Sequence, residues 1–592
     1  MSGKPAARIS DSVVKGVIVT GSRTVLIGSQ GGIACSECPG GIKVGSPVNP
    51  QLGAKVLLGA EDLDFALPGA LPVVWQRQYS SYVNTEHGAT CGPLGYGWKL
   101  PQQISIELRA DAALLFDAAG RTITFDPLGE GEALYSPSED IWLLRGGVQT
   151  TWAQQARWAH LPSTLTAHPD TVLAASGDAS VVWIFAPAAQ PTSTPSLSLP
   201  LRLAAQLDRF GRSQRYTYAE GNSNVNEPAT PAGHLTGLTD GVGRQYRLQY
   251  QRIHQGQPER GLLHADDGWR LVGVELIRDP LAPLAQPLTL VRYTYNQRGE
   301  LTHVHDRADQ LVREFEWEHH HIRGHRHQGG PWHSYRFESP QPGARVIEHG
   351  NEQGLGYRFE YLSAPAITPS PEGKPRSSTR VSDSLGRIET YHFEGEPGVS
   401  RLIEHERADG SRMRYTYDGF GRLVASTDPL GRTTRLARDG QGRVIRSYQP
   451  DGSQSEQHYD DATGRLVQST DAAGATTHYR YDDWGRLTEI QQADGSHQRY
   501  QYPEPQDSPL TCDSPSAIED PRGGTKSLGY TSPGQLQSYT DCSGHSTHYR
   551  YDPWGRLVTV EQADGGGGSA GGDSENTTER TTERITYPDP KT

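Results

Sequence analysis

The chain has 592 residues, of which 34% are hydrophobic, and 56 Lys+Arg against 69 Asp+Glu leave a net charge of −13. An acidic chain of this kind excludes a ligand held mainly by phosphate contacts, so nucleic acid is not expected as its partner. No run approaches the roughly 18 apolar residues of a bilayer-crossing helix, the richest being Val181 to Ala186.

Composition also sets the fold class. With 67 Gly, 41 Pro and 27 Tyr among 48 aromatics, frequent turn residues and amphipathic rings predict short strands, an all-β protein. Met1 to Arg8 lacks the apolar core of a cleavable signal peptide, which predicts cytoplasmic synthesis and export, if any, by a route that reads no such signal. Five cysteines are too few for a disulfide framework, and the odd count leaves a free thiol.

The first candidate chemistry is Cys35-Ser-Glu-Cys38 with His87-x-x-x-Cys91, four ligands of the type zinc takes. The two pairs lie about 50 residues apart, unlike a compact zinc ribbon, and two thiols in a Gly-rich loop are the simpler reading. Further on, His319-His-His321-Ile-Arg-Gly-His325-Arg-His327 gathers imidazoles. Alternate strand residues point to opposite faces, and Arg323 and Arg326 would repel a cation, so a solvated strand and turn is expected there. Neither site is assigned a metal or cofactor.

The second half is periodic. Tyr417-Asp-Gly-Phe-Gly421-Arg422-Leu423 is followed by Gly442-Arg443-Val444, Tyr459-Asp-Asp-Ala-Thr-Gly464-Arg465-Leu466 and Tyr481-Asp-Asp-Trp-Gly485-Arg486-Leu487, at glycine steps of 21, 22 and 21 residues. Gly534-Gln535-Leu536 and Tyr551-Asp-Pro-Trp-Gly555-Arg556-Leu557 continue it after an irregular Pro503 to Pro521. A second turn signal, Asp-x-x-Gly, falls between at Asp428, Asp471 and Asp541. Each unit reads as strand, turn, strand, turn, with Asp bonding amides of its own turn and Gly taking the φ > 0 position. In His478-Tyr479-Arg480-Tyr481 the two tyrosines share one face. Weaker copies at Gly211-Arg212, Gly243-Arg244, Gly299 and Gly386-Arg387 place the start of the array between about residues 100 and 200. Pro187 to Pro200, Gly221 to Pro231, Ser363 to Pro375 and Gly565 to Thr578 read as loops between strands. Ile585 to Thr592 reads as the opening of a further strand and turn.

These Tyr-Asp-x-x-Gly-Arg-Leu copies resemble the Rhs, or YD-repeat, family. Gly45-Ser-Pro-Val-Asn-Pro50, Asp64-Phe-Ala-Leu-Pro-Gly-Ala-Leu-Pro72, Trp75-Gln-Arg-Gln-Tyr-Ser80 and Gly92-Pro-Leu-Gly-Tyr-Gly-Trp98 resemble the domain that precedes the array in Rhs proteins of type VI secretion. Gly3 to Arg8 and Gly21 to Ile27 resemble the second half of a PAAR domain, the small β-structure of the secretion spike. The resemblance implies a partial PAAR-like segment over 1–44, an Rhs N-terminal domain over 45–130, and a wall of β-hairpins over 131–592 that coils into a hollow cage, or β-cocoon. Its expected partners are the rest of the cage with a toxin domain, the VgrG spike protein and an Eag-type chaperone. The expected location is the producing bacterium's cytoplasm, then a target cell. A wall one sheet thick is expected to bury little on either face, which suits Tyr better than Leu.

The family's autoproteolytic motif and toxin are not found in the sequence, so a non-enzymatic shell is expected. Asp460-Asp461 and Asp482-Asp483 resemble a glycosidase pair only in composition, because each occupies a repeated turn, and no Gly-x-Ser-x-Gly or phosphate-binding loop occurs. A cell-surface adhesion or glycan-binding module and a polysaccharide-acting repeat enzyme are the alternatives.

Overall fold

The computed structural model describes residues 42–82, 91–117, 122–148, 150–188, 198–220, 232–254, 266–362, 374–395 and 400–563, together with the strand Arg580–Arg584 and a backbone hairpin of Ser12–Val13 with Gly16–Val17. Most of the four proline-, serine- and glycine-rich interruptions, and Ile585 to Thr592, lie outside the described residues.

One antiparallel sheet of 37 strands runs from Ser105–Arg109 to Arg580–Arg584, each strand paired with its sequence neighbour except between Thr122–Phe125 and Ala133–Ser136. The fold is thus all-β, and the hairpin order is what short turns impose, since only antiparallel neighbours can be joined by loops of a few residues. The sheet begins at Ser105.

Near its start the sheet forks. Strand Ser198–Asp208 pairs along one edge with Val181–Pro187. Its opposite edge is shared by Ser105–Arg109, against Ser198 to Arg202, and by Ser213–Tyr218, against Ala205 to Leu207. The first strands therefore return on themselves before the ribbon continues. Ile106, Leu115, Leu143, Val172, Phe185 and Leu203 fill the inside of that return. Leu144, Leu173, Ala175 and Val182 point the other way and are covered by Trp152 and Trp158, from short helical turns, and by Leu161, all between Ile141–Arg145 and Val172–Ser176.

Residues 42–82 and 91–99 form small sheets, including Val56–Leu57, Gln78–Ser80 and Trp98–Lys99. They pack against the tyrosine-bearing face of the ribbon. Phe65 stacks on Tyr246, Tyr79 meets Trp317 edge-on, and Trp98 meets Phe315 edge-on at 5.2 Å. Val48 extends this contact to Tyr335, Phe359, Tyr391 and Phe393. The expectation of little burial therefore fails for strands up to about residue 394, because a separate segment of chain lies on one face there. From Arg401 onward the strands are mostly half-buried, as a sheet one layer thick requires.

Candidate functional site

The repeat unit contains three interlocking bonds. In the turn from Asp418 to Arg422, Gly421 N–H donates to the Asp418 carbonyl and Asp418 N–H donates to the Arg422 carbonyl. The Asp418 Oδ1 accepts from the Phe420 and Arg422 amides at 2.9 and 3.0 Å, and its Oδ2 accepts from Arg422 Nε at 2.8 Å. Gly421 has φ +76°, a conformation with a steric penalty for other residues. Partial burial works against the Asp418 carboxylate, yet these donors hold it below its ordinary pKa. Asp439 with Gly442 and Arg443, Asp482 with Gly485 and Arg486, and Asp552 with Gly555 and Arg556 repeat the arrangement. At Gly464 and Arg465 the longer turn is closed instead by Thr463, whose amide and hydroxyl donate to Asp460.

The second bond links repeats. Tyr417 donates its hydroxyl to the Leu402 carbonyl at 2.7 Å, Tyr459 to Val444 at 3.2 Å, Tyr481 to Leu466 at 2.9 Å and Tyr551 to Leu536 at 2.7 Å, always fifteen residues back. At Arg438, where the repeat lacks its tyrosine, the guanidinium donates to the Leu423 carbonyl in the same way. The third contact is cationic: Arg443, Arg465 and Arg486 lie 4.5, 5.6 and 4.9 Å from the ring centres of Tyr459, Tyr481 and Tyr502. Arg443 and Arg486 thus cap their own turns and support the ring of the next repeat, and Arg465 supports the ring of Tyr481.

The two faces differ in charge. Met413, Tyr415, Ser426, Leu436, Ser447, Gln457, Ser469, Tyr479, Ile490, Tyr500, Leu528, Tyr539 and Tyr549 follow one another across the strands on one face. It is the face that residues 42 to 99 cover earlier in the ribbon. The opposite face carries cross-strand ion pairs: Glu404 with Arg412 and Arg414, Arg446 with Glu456, and Arg480 and Arg499 with Glu489. Among the described residues, His392, Glu404 and Glu406 are close enough to share a metal ion. Arg412 and Arg414 already occupy both carboxylates, an unfavourable setting for a further cation.

Of the thiol and histidine candidates, Cys35, Cys38 and His87 lie outside the described residues. Cys91 is half-buried, its sulfur accepting from Arg270 Nη2 at 3.1 Å, and burial pushes its thiol well above the ordinary value. Arg270 is itself held by Asp266, which also accepts from Tyr96. The histidine run is not a solvated strand. His321 and His325 are each 3% exposed; His321 stacks on Phe337 and His325 bonds Tyr335 at 3.0 Å. This difference arises because residues 44 to 57 lie on that face, with the Lys55 ammonium 4.6 Å from the Tyr335 ring centre.

Sequence reasoning missed the ion network beneath this contact. Arg77 pairs with Asp64 at 2.9 Å, Tyr293 donates to Asp64, and Arg313 Nε donates to Asp62 at 3.2 Å, all buried. Only the acidic and basic residues inside otherwise apolar runs, Leu63-Asp-Phe and Trp75-Gln-Arg, hint at it.

A coiled array of antiparallel hairpins closed by Asp-x-x-Gly-Arg turns, with one ionic and one aromatic face, defines a repeat-walled protein. Residues 45–125 match the family described as Domain of unknown function (DUF6531), and residues 399–433, 417–454, 459–497 and 530–566 match RHS Repeat. The chain is 38% identical over 555 residues to Toxin protein Tse5 of Pseudomonas aeruginosa, covering 92% of this chain and 38% of that protein. It is 28% identical to Double-stranded DNA deaminase toxin A of Burkholderia cenocepacia, covering 94% of this chain and 33% of that one. A solved Photorhabdus luminescens Tc holotoxin pore structure aligns with 88% of this chain and 26% of its own at 12% identity and TM-score 0.37. The chain belongs to the Rhs-repeat family, and it spans well under half the length of the curated relatives it matches.

Proposed function

We propose that this chain is a non-enzymatic wall segment of a shell that encloses a toxic domain of an Rhs effector and carries it to the spike of a type VI secretion apparatus. The observation that carries the reading is the division of the wall into an ion-paired face and an aromatic, hydroxyl-bearing face. On the latter, the charged paired residues between Met413 and Val560 are Arg438 and Lys526. A surface with little fixed charge contacts polypeptides of varied sequence without strong repulsion, whereas the ion-paired face suits solvent. The relatives' names as toxins support an enclosed toxic cargo.

In this reading residues 1–44 contact the VgrG spike, 45–130 lead into the shell, and 131–592 form wall. An Eag-type chaperone acts before export. The protein is made in the cytoplasm of the producing bacterium and delivered to target cells. The mechanism is separation: the wall keeps cargo away from the producer, and delivery releases it.

Mass measurement of the protein isolated from its native host, under native and then denaturing conditions, tests this. A second polypeptide held without a covalent bond, or a longer chain containing this one, is expected. A solitary 64.8 kDa species overturns the shell and makes a binding module the leading account.

A further inference from the structure

The later strands of the ribbon meet the earlier ones along a seam. Tyr135 donates to the Gln441 carbonyl at 2.8 Å, Arg209 donates to the Trp484 carbonyl at 3.1 Å, and Phe210 stacks on Trp484. On one side stand turns 439–443, 460–464 and 482–486. On the other stand turns 137–140 and 208–212 and the short helical turns that carry Trp152 and Trp158.

The acidic groups at this seam are engaged. Asp439 accepts from Arg443 Nε and Nη2 at 2.7 Å, Asp140 accepts from Tyr135 at 2.7 Å, and Asp460 accepts from Thr463. Asp178 accepts from the hydroxyls of Ser176 and Ser180. Two basic groups are less fully served. Arg157 is 7% exposed, and among the described residues its guanidinium has no hydrogen bond and no ion pair; it faces the Trp142 ring at 5.1 Å. Arg443 Nη1 is buried and also lacks a hydrogen-bond partner.

These two guanidiniums converge. A methyl carbon placed on Gly464 would lie 2.7 Å from Arg157 Nη2 and 3.6 Å from Arg443 Nη1. Arg157 arrives from the helical turn Ala156–Trp158, and Arg443 from the turn of the preceding repeat. At two other repeats the side chain that reaches the next glycine donates to its carbonyl: Arg401 to Gly421 at 3.2 Å and Gln535 to Gly555 at 2.8 Å. Gly464 sits in the longer turn, and its carbonyl takes neither guanidinium. Two like charges in a buried seam repel strongly when no anion lies between them. Burial, and then the Arg443 charge, hold Arg157 below its ordinary pKa. Burial, and then the Arg209 charge, push His160 of the same segment down to about 4.

We propose that Arg157 and Arg443 bind one phosphate-class oxyanion over Gly464, and that the bound anion ties the two sides of the seam together. Guanidinium nitrogens are strong donors to phosphate oxygens. A tetrahedral anion presents oxygens in more than one plane, which suits two guanidiniums arriving from separate elements, whereas one arginine is enough for a planar carboxylate. The net charge of −13 disfavours a polyanion spread over the surface, and two guanidiniums within a seam take a single anion. Free phosphate and a phosphate monoester share this chemistry. The site is independent of what the wall encloses.

Calorimetric titration of the 592-residue chain with inorganic phosphate at constant ionic strength tests this, together with thermal unfolding in phosphate and in chloride. One saturable site per chain and a Tm that rises with phosphate are expected. Arg157→Met should weaken phosphate binding by roughly tenfold or more, the loss of a charge-assisted hydrogen bond. In chloride alone it should be at least as stable as the parent, because it removes a buried charge that has no partner. Arg157→Lys, which keeps the charge, should keep part of the binding. Adenosine monophosphate binding as tightly as phosphate would assign the site to the end of a larger ligand, and phosphate binding alone would assign it to the free anion. Absence of saturable binding to either probe overturns the proposal, as does undiminished binding in Arg157→Met. A less stable Arg157→Met in chloride, with no phosphate response in the parent, would give Arg157 a packing role only.

Discussion

The Tyr481 hydroxyl donates to the Leu466 carbonyl at 2.9 Å, and the same side chain is backed by Arg465. One residue thus joins three elements: its own strand, the strand before it and the turn that leads into that strand. Such a contact repeats along the ribbon, so stability accumulates from neighbouring units as in other repeat proteins.

Tyr481→Phe removes that bond and leaves the ring. A loss of about 1 kcal/mol is expected, read as a lower urea midpoint. Hydrogen exchange should quicken in Leu466–Thr470 and Thr476–Tyr481 and remain unchanged in Val172–Ser176.

Gly431 and Gly485 have the same backbone, φ +79° for each, in different surroundings. A Cβ at Gly431 meets nothing within 4 Å, while one at Gly485 meets the guanidinium groups of Arg209 and Arg465. Gly431→Ala should cost about 1 to 2 kcal/mol from the left-handed conformation alone. Gly485→Ala should cost somewhat more and raise the oxidation of Phe210, which stacks on Trp484, because the Arg209 guanidinium must swing away from the Trp484 carbonyl to admit the methyl group. Equal costs would remove the seam from the explanation.

Arg77→Met leaves Asp64 buried beside Tyr293 without its cation. Breaking a buried pair on one side costs about 3 to 5 kcal/mol. The expected consequence is release of residues 42 to 99 from the ribbon, seen as protease cleavage there while the 401–563 strands stay protected. Replacing Arg77 and Asp64 together by apolar residues should restore much of the loss.

Buried histidines make the contact acid-sensitive. Burial lowers His349 from 6.5 to about 3 and His321 from 6.5 to about 4, and Lys55 adds repulsion at His349. Between those values and 6.5 the unfolded chain binds more protons than the folded one, so stability falls as pH drops through this window and is recovered above it. His349→Gln should flatten the slope of denaturant midpoint against pH between 6.5 and 4; an unaltered slope would assign the effect to other groups.

The turn chemistry was legible because it is local. Asp and Gly four residues or fewer apart close each hairpin, so Gly421, Gly442 and Gly485 could be placed in turns, and the shared face of Tyr479 and Tyr481 followed from strand alternation. The burial of His325 has no local signature, because the segment around Lys55 that covers it lies about 270 positions away. The joining of Asp62 to Arg313, 251 residues apart, was hidden for the same reason.

By itself the sequence determined the unit: strand lengths, turn conformations, the alternation of aromatic and charged positions and the antiparallel order, all of which depend on interactions within a few tens of residues. The tertiary structure decided what the units are stacked on. Sheet twist and the fork at Ser198–Asp208 set how far the ribbon travels before it meets itself, and that distance brings Phe210 to Trp484. Curvature is summed over many strands, so it has no signature in any one of them.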